Sequence, residues 1–245
     1  ASADSVFNKL EALHPQHPAI EAADVPEVPD DAEFVNFTID SISSAISAFK
    51  RNGASPGLDG WRPEYLLTVL RVGKEAATEA FVRFFTILGN AELPLSVLTL
   101  LTGASLIPLV KPDGGVRPIA ILPLFAKVTE KVLLYQLPIT DAVGIRQVGV
   151  GRSNGAAIHA ERLAALMRRR ADDVDGCQDR ALLVIDCRNA YNTMSGKAIL
   201  DALLSKPECS GILRYMNQRL RNQSCRFVRT LSLIHISEPT RQDRI

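Results

Sequence analysis

Hydrophobic positions divide the chain into alternating helical and extended stretches. Residues 5–13 carry a short helical pattern, and residues 14–31 then lose periodicity around Pro15, Pro18, Pro26 and Pro29, as an extended linker would. Over residues 41–50 the apolar side chains Ile42, Ala45, Ile46 and Phe49 recur at i, i+3, i+4 and i+7, which predicts an amphipathic helix with Asp40 as its cap. A Gly/Pro loop follows at 52–60, then helices at about 63–72 and 74–88. Two β-rich runs, 105–110 and 117–122, flank Lys111-Pro112-Asp113-Gly114-Gly115-Val116. Asp-Gly-Gly should supply the positive φ angles of a tight reversal, which makes this a β-hairpin with a basic tip. Further helices are expected at 123–137, with Phe125, Val128, Val132 and Tyr135 near one face, and at 154–170, 197–205 and 211–220. Residues 181–185 form a fully apolar strand that delivers Asp186 at its end.

Composition narrows this picture to an ordinary globular chain. Of its 245 residues 47% are hydrophobic and 22% charged, and no apolar run approaches the roughly 20 residues of a membrane span. The first ten residues lack the layout of a signal peptide, and the four cysteines (Cys177, Cys187, Cys209, Cys225) form no C-x-x-C pair. These features predict an intracellular protein with reduced thiols, outside the membrane. Charge is uneven. Residues 1–40 carry a net charge of −8 and the remainder +9, the balance of an acidic leader ahead of a domain that meets a polyanion.

Two sites invite chemistry. In Leu182-Leu183-Val184-Ile185-Asp186-Cys187-Arg188-Asn189-Ala190-Tyr191-Asn192 a rigid strand would fix a carboxylate for a divalent ion, while the turn beyond leaves room for a phosphate. The same pattern also describes a strand that ends in a helix N-cap. In the hairpin, Lys111 and Arg117 could clamp a triphosphate through charge and the guanidinium fork, or simply ornament a solvated turn. His159-Ala160-Glu161 lacks the P-C-x-x-C of zinc deaminases and reads as helix surface. Gly149-x-Gly151 lacks the strand–turn–helix setting of a dinucleotide site, and Arg168-Arg169-Arg170 reads as a solvated helix end.

The apolar strand, Asp186 and the aromatic-polar pair Tyr191-Asn192 together resemble motif A of reverse transcriptases, with an ending most similar to non-LTR retrotransposon enzymes. Residues 107–119 (IPLVKPDGGVRPI) resemble the fingers hairpin of that family. Pro56-Gly57-Leu58-Asp59-Gly60, the helix Phe125-Ala126-Lys127-Val128-Thr129-Glu130-Lys131, and Gln147-Val148-Gly149 are similar to three further segments, in the family's order.

The resemblance implies an α+β right-hand polymerase fold with fingers and an incomplete palm. Its parts would be an acidic Pro-rich leader at 1–33, fingers at 34–180 and the start of the palm with motif A at 181–230. It also implies RNA-directed DNA synthesis on an RNA template and DNA primer. Asp186 would be catalytic and would hold two Mg2+ ions together with the backbone carbonyl of Cys187. Lys111 and Arg117 would meet the phosphates of a deoxynucleoside triphosphate, and Tyr191 would exclude a ribose 2′-hydroxyl. The family's second carboxylate hairpin, (Tyr/Phe)-x-Asp-Asp, does not occur after Asp186. A group II intron maturase, or a decayed copy that only binds nucleic acid, would share the features present.

Residues 231–241, Leu-Ser-Leu-Ile-His-Ile-Ser-Glu-Pro-Thr-Arg, match one translation frame of a transposase-based sequencing adapter, and 242–245 fit its index and the bases beyond. Residues 231–245 are therefore expected to be adapter-derived. With Ala1 in place of an initiator Met, the sequence reads as a fragment open at both ends.

Overall fold

A computed structural model describes residues 3–13, 26–49, 55–113, 115–137, 144, 147–150, 153–172, 185, 193–221 and 226–228. They fall in two compact units, one formed by residues 1–136 with 189–245 and the other by 137–188. Among the described residues no helix is long and apolar enough to cross a membrane.

The first unit is a helical cluster beside a small sheet. Its helices are α1 (Ala3–Ala12), α2 (Ile39–Ala48), α3 (Pro63–Gly89), α4 (Leu95–Thr102) and α5 (Leu124–Gln136). Thr38, not Asp40, caps α2. The Thr38 hydroxyl accepts from the Ser41 amide at 3.2 Å and the Ser41 hydroxyl accepts from the Thr38 amide at 3.1 Å, a reciprocal box. Asp40 lies one step inside, where its charge still suits the first turn. The expected apolar stripe is real: Ile42, Ala45 and Ile46 are fully buried.

Helix α3 opens on Pro63, whose missing N–H is no loss at a helix start. It breaks at Lys74 (φ 48, ψ −130), directly after Gly73, so the span consists of two helical segments joined at a kink, as the two expected helices at about 63–72 and 74–88 require. At its end the Asn90 side chain both accepts from the Val35 amide (2.8 Å) and donates to the Val35 carbonyl (3.1 Å). This pair draws residues 32–38 onto the helix, where the Phe37 ring lies so close to Gly89 that no Cβ would fit between them.

Two elements were not legible in the sequence. Helix α4 is apolar around most of its circumference, so no polar face marks its period, yet Leu98 is part of the core. The strand Arg226–Val228 (β3) spans three residues, too few for alternation to show. Strands β1 (Ala104–Val110) and β2 (Val116–Ile121) form the expected antiparallel hairpin, with Ile107 opposite Ile119 and Leu109 opposite Arg117. β3 joins the other side of β1 in parallel, giving the order β2-β1-β3.

The chain returns through α7 (Gly196–Leu204), a 3-10 turn (Pro207–Cys209) and α8 (Ser210–Arg221). In the second unit the described residues include one helix, α6 (Gly155–Asp172). Of the strand expected at 181–185 only Ile185 is described, and it is exposed and outside any strand.

One core unites Val35, Phe37, α2, both halves of α3 (Leu66 in the first, Phe85 and Leu88 in the second), α4, α5 and Tyr215 of α8. Tyr215 is fully buried and donates its hydroxyl to Glu130 Oε1 of α5 at 3.2 Å, while Arg219 Nε meets the same oxygen at 3.2 Å. On its opposite side α8 holds the end of the acidic leader. Arg214 donates to the carbonyls of Asp30 and Ala32 and lies 4.3 Å from the Phe34 ring centroid, and Asn217 donates to the Pro26 carbonyl at 3.0 Å.

Burial, reinforced by the Glu130 charge, pushes the Tyr215 phenol far above its ordinary value near 10. The folded state therefore holds this proton more tightly than the unfolded state does. Its contribution is full below about pH 10 and is lost as pH rises beyond that. Urea midpoints should fall between pH 9.5 and 11, and Tyr215→Phe should remove roughly 1 kcal/mol of that fall. Parallel pH profiles for the two proteins would refute the assignment.

Candidate nucleotide and nucleic-acid site

Alternation places residues 107 and 109 on one side of β1, cross-strand partners share a side, and the bond from the Lys111 amide to the Gly115 carbonyl carries the same register one residue past the end of β1. Arg117 pairs with Leu109, so Arg117 and Lys111 lie on the same side of the hairpin. The tip is closed by the Lys111 amide donating to the Gly115 carbonyl at 2.8 Å, and by Asp113 Oδ1 accepting from the Gly115 amide at 2.8 Å. The turn therefore relies on an Asp side chain, and Gly115 does not take the positive φ expected of it; Gly114 lies outside the described residues. Lys111 and Arg117 are both exposed, and neither has an ion pair among the described residues. Ile107, Leu109 and Ile119 on the same side are also exposed, which leaves an apolar strip bordered by two cations.

Asp186, Cys187 and Tyr191 lie outside the described residues, so no distance relates them to Arg117 or Lys111. Among the described residues no group of three or more His, Cys, Asp or Glu side chains could hold a metal ion. His159 and Glu161 are exposed on α6, as surface residues of a helix are. The tail at 231–245 also lies outside the described residues.

The Pro56–Gly60 segment sits against the root of the hairpin. Gly57 packs so tightly that a Cβ there would lie 2.5 Å from the Leu122 carbonyl oxygen. Asp59 Oδ2 accepts from the Leu124 amide at 2.7 Å, and Oδ1 from the Trp61 amide at 3.3 Å. A side chain 65 positions upstream thus supplies the first-turn acceptor of α5. Gly60, at φ 68, turns the chain so that Trp61 meets the Phe125 ring edge-on at 5.6 Å. Within α5, Val128, Thr129, Val132 and Leu133 face inward, while Tyr135 departs from the expected stripe and lies outside beneath the Lys131 ammonium, 4.8 Å from its ring centroid. The exposed side of α5 keeps Lys127 and Lys131 one turn apart. Burial lowers the Lys127 pKa, and the Asp59 charge opposes that shift.

No protein-family profile matches the chain. No solved structure matches it either. Over 206 residues, 82% of this chain, it is 31% identical to the retrotransposable element SLACS 132 kDa protein of Trypanosoma brucei gambiense. The chain is similar to a retrotransposon protein. It spans 16% of that protein's length, and the likeness supports a retroelement origin.

The motif loop yields a stability test. Asp59→Ala removes the acceptor for the Leu124 amide and should cost about 1–2 kcal/mol in urea unfolding, with Asp59→Asn intermediate because one oxygen remains. An Asp59→Ala protein as stable as the parent would mean that the contact bears no weight.

Proposed function

We propose that this chain is part of an RNA-directed DNA polymerase of a retrotransposon, with the hairpin and α2–α5 as fingers and residues 181–230 as the opening of a palm. The observation that carries the reading is the likeness to a retrotransposable-element protein across most of the chain. The two exposed cations on one side of the hairpin agree with it. In this reading Arg117 and Lys111 take the phosphates of an incoming deoxynucleoside triphosphate, and Tyr191 screens its ribose. RNA template and DNA primer are the partners. Asp186, with the Cys187 carbonyl, belongs to a site for two Mg2+ ions, which would activate the primer hydroxyl and stabilise the departing pyrophosphate.

Arg117 supplies a charge-assisted, forked contact, so Arg117→Ala should weaken deoxynucleoside triphosphate binding about tenfold to a hundredfold. Equilibrium titration with a fluorescent nucleotide measures this. Equal affinity in the variant would remove the hairpin from the nucleotide site.

A second expectation concerns turnover. Two dications need several well-placed oxygens, and no (Tyr/Phe)-x-Asp-Asp follows Asp186 in these 245 residues. The 245-residue polypeptide by itself should give no primer extension with Mg2+ or Mn2+. Extension that vanishes in Asp186→Ala would show that another carboxylate completes the site. A second reading is a retroelement-derived protein that binds nucleic acid without catalysis, for which the excess of nine positive charges beyond residue 40 would suffice. That reading predicts strand binding unaffected by Asp186→Ala.

A further inference from the structure

A cleft of about 420 Å³ opens between the end of α2, the loop at 55–62 and α5, and neither Lys111 nor Arg117 lines it. Its walls include Phe49, Trp61, Arg62, Lys127 and Lys131, with no Asp or Glu among the lining residues. Lys127 and Lys131 are like charges at i, i+4, a spacing that destabilises a helix unless something neutralises them. The side chains of Arg62 and Lys127 make no hydrogen bond or ion pair among the described residues, and Lys131 rests on the Tyr135 ring. The acid that acts on Lys127 is Asp59, both of whose oxygens already accept from backbone amides. Three cations thus surround one opening, with Trp61 held beside them by its edge-on contact with Phe125. Such a volume is at the small end of ligand sites and suits one nucleotide rather than a duplex.

We propose that this cleft is a second polynucleotide contact, separate from the hairpin, which takes one phosphate of a single strand between Arg62, Lys127 and Lys131 and stacks the adjacent base on Trp61. The proposal rests on the nucleic-acid reading above. Phosphate suits the three cations, and an aromatic face accepts any base, so the cleft is insensitive to sequence. Lys127 is partly desolvated, and Asp59, whose oxygens are engaged by backbone amides, only partly offsets that burial; a phosphate adds a counter-charge that meets the ammonium directly.

Trp61 is the sole tryptophan of the chain, so its fluorescence reports on this cleft directly. The 245-residue protein is titrated with a ten-residue oligouridylate, following Trp61 emission and, separately, the anisotropy of a labelled copy. Saturable quenching is expected. Lys127→Gln with Lys131→Gln should weaken binding at least tenfold and make the salt dependence shallower by about 0.7 in log–log slope for each phosphate that is no longer neutralised. Lys111→Ala should leave the quench in place. Arg62→Ala, an exposed change at the start of α3, provides a second variant with little consequence for folding, and the melting temperatures of the lysine variants should equal or exceed that of the parent. Binding seen by anisotropy without a change in Trp61 emission, and unaffected by these variants, would overturn the cleft and leave the polymerase reading intact. Failure to bind the oligonucleotide at all would remove the reading on which the cleft depends. Equal quenching by free UTP at the same concentration would overturn the strand assignment in favour of a nucleotide pocket.

Discussion

The contact between Asp59 and the amide of Leu124 fixes the geometry on which both candidate sites depend. Leu124 begins α5, and the hairpin ends three residues earlier at Ile121, so one carboxylate anchors the base of the hairpin and the start of the helix together. Gly57 makes the approach possible by leaving no side chain between the loop and Leu122. Behind α5, Glu130 accepts from Tyr215 and Arg219, so the helix is restrained at its start by a loop and at its middle by α8. What remains outward is the lysine-bearing side. Its positive charge is therefore displayed from an element with little freedom to move, which is the arrangement a binding surface requires.

Charge follows the same division. The sequence carries its net negative charge in the first forty residues, and the described end of that stretch is bound through its backbone carbonyls by Arg214 and Asn217. Because those bonds use main-chain oxygens, the leader's carboxylates do not neutralise the cations of the hairpin or the cleft through them. A polyanion meeting this unit finds, on the hairpin and on α5, positive groups without ion-pair partners among the described residues.

Legibility in the sequence tracked the physics of each element. Helix α2 announced itself because Ile42, Ala45 and Ile46 repeat against a polar face, and the bend at Lys74 was visible as a Gly-initiated interruption between two helical patterns. The cap of α2 was misplaced because Asp40 and Thr38 are both good caps, and only the reciprocal bond with Ser41 decides between them. Tyr135 fits the helical spacing yet lies outside, since its ring has a cation to cover it. The cleft was hidden for a different reason. Arg62, Lys127 and Lys131 are more than sixty residues apart along the chain at their widest, and long-range contacts (Asp59 to Leu124, Gly57 to Leu122, Trp61 to Phe125) bring them to one opening. Motif matching found the residues that build this brace, Gly57 and Asp59, without revealing that their work in this fold is to hold a neighbouring helix.

Pro108 and Pro118 stand directly opposite each other in the hairpin. Neither has an N–H to exchange, so this must be a non-hydrogen-bonded pair, with both imide nitrogens turned outward. Each long rim of the ribbon therefore lacks a donor at the same level. Among the described residues β3 pairs with β1 over Ala104 to Leu106, and the outward donor row of β2 (Val116–Ile121) lacks an N–H at Pro118. An intruding strand from another molecule would meet a gap on whichever rim it approached. At the level of the two prolines the hairpin thus resists recruitment into a wider sheet, while it presents its basic end to solvent.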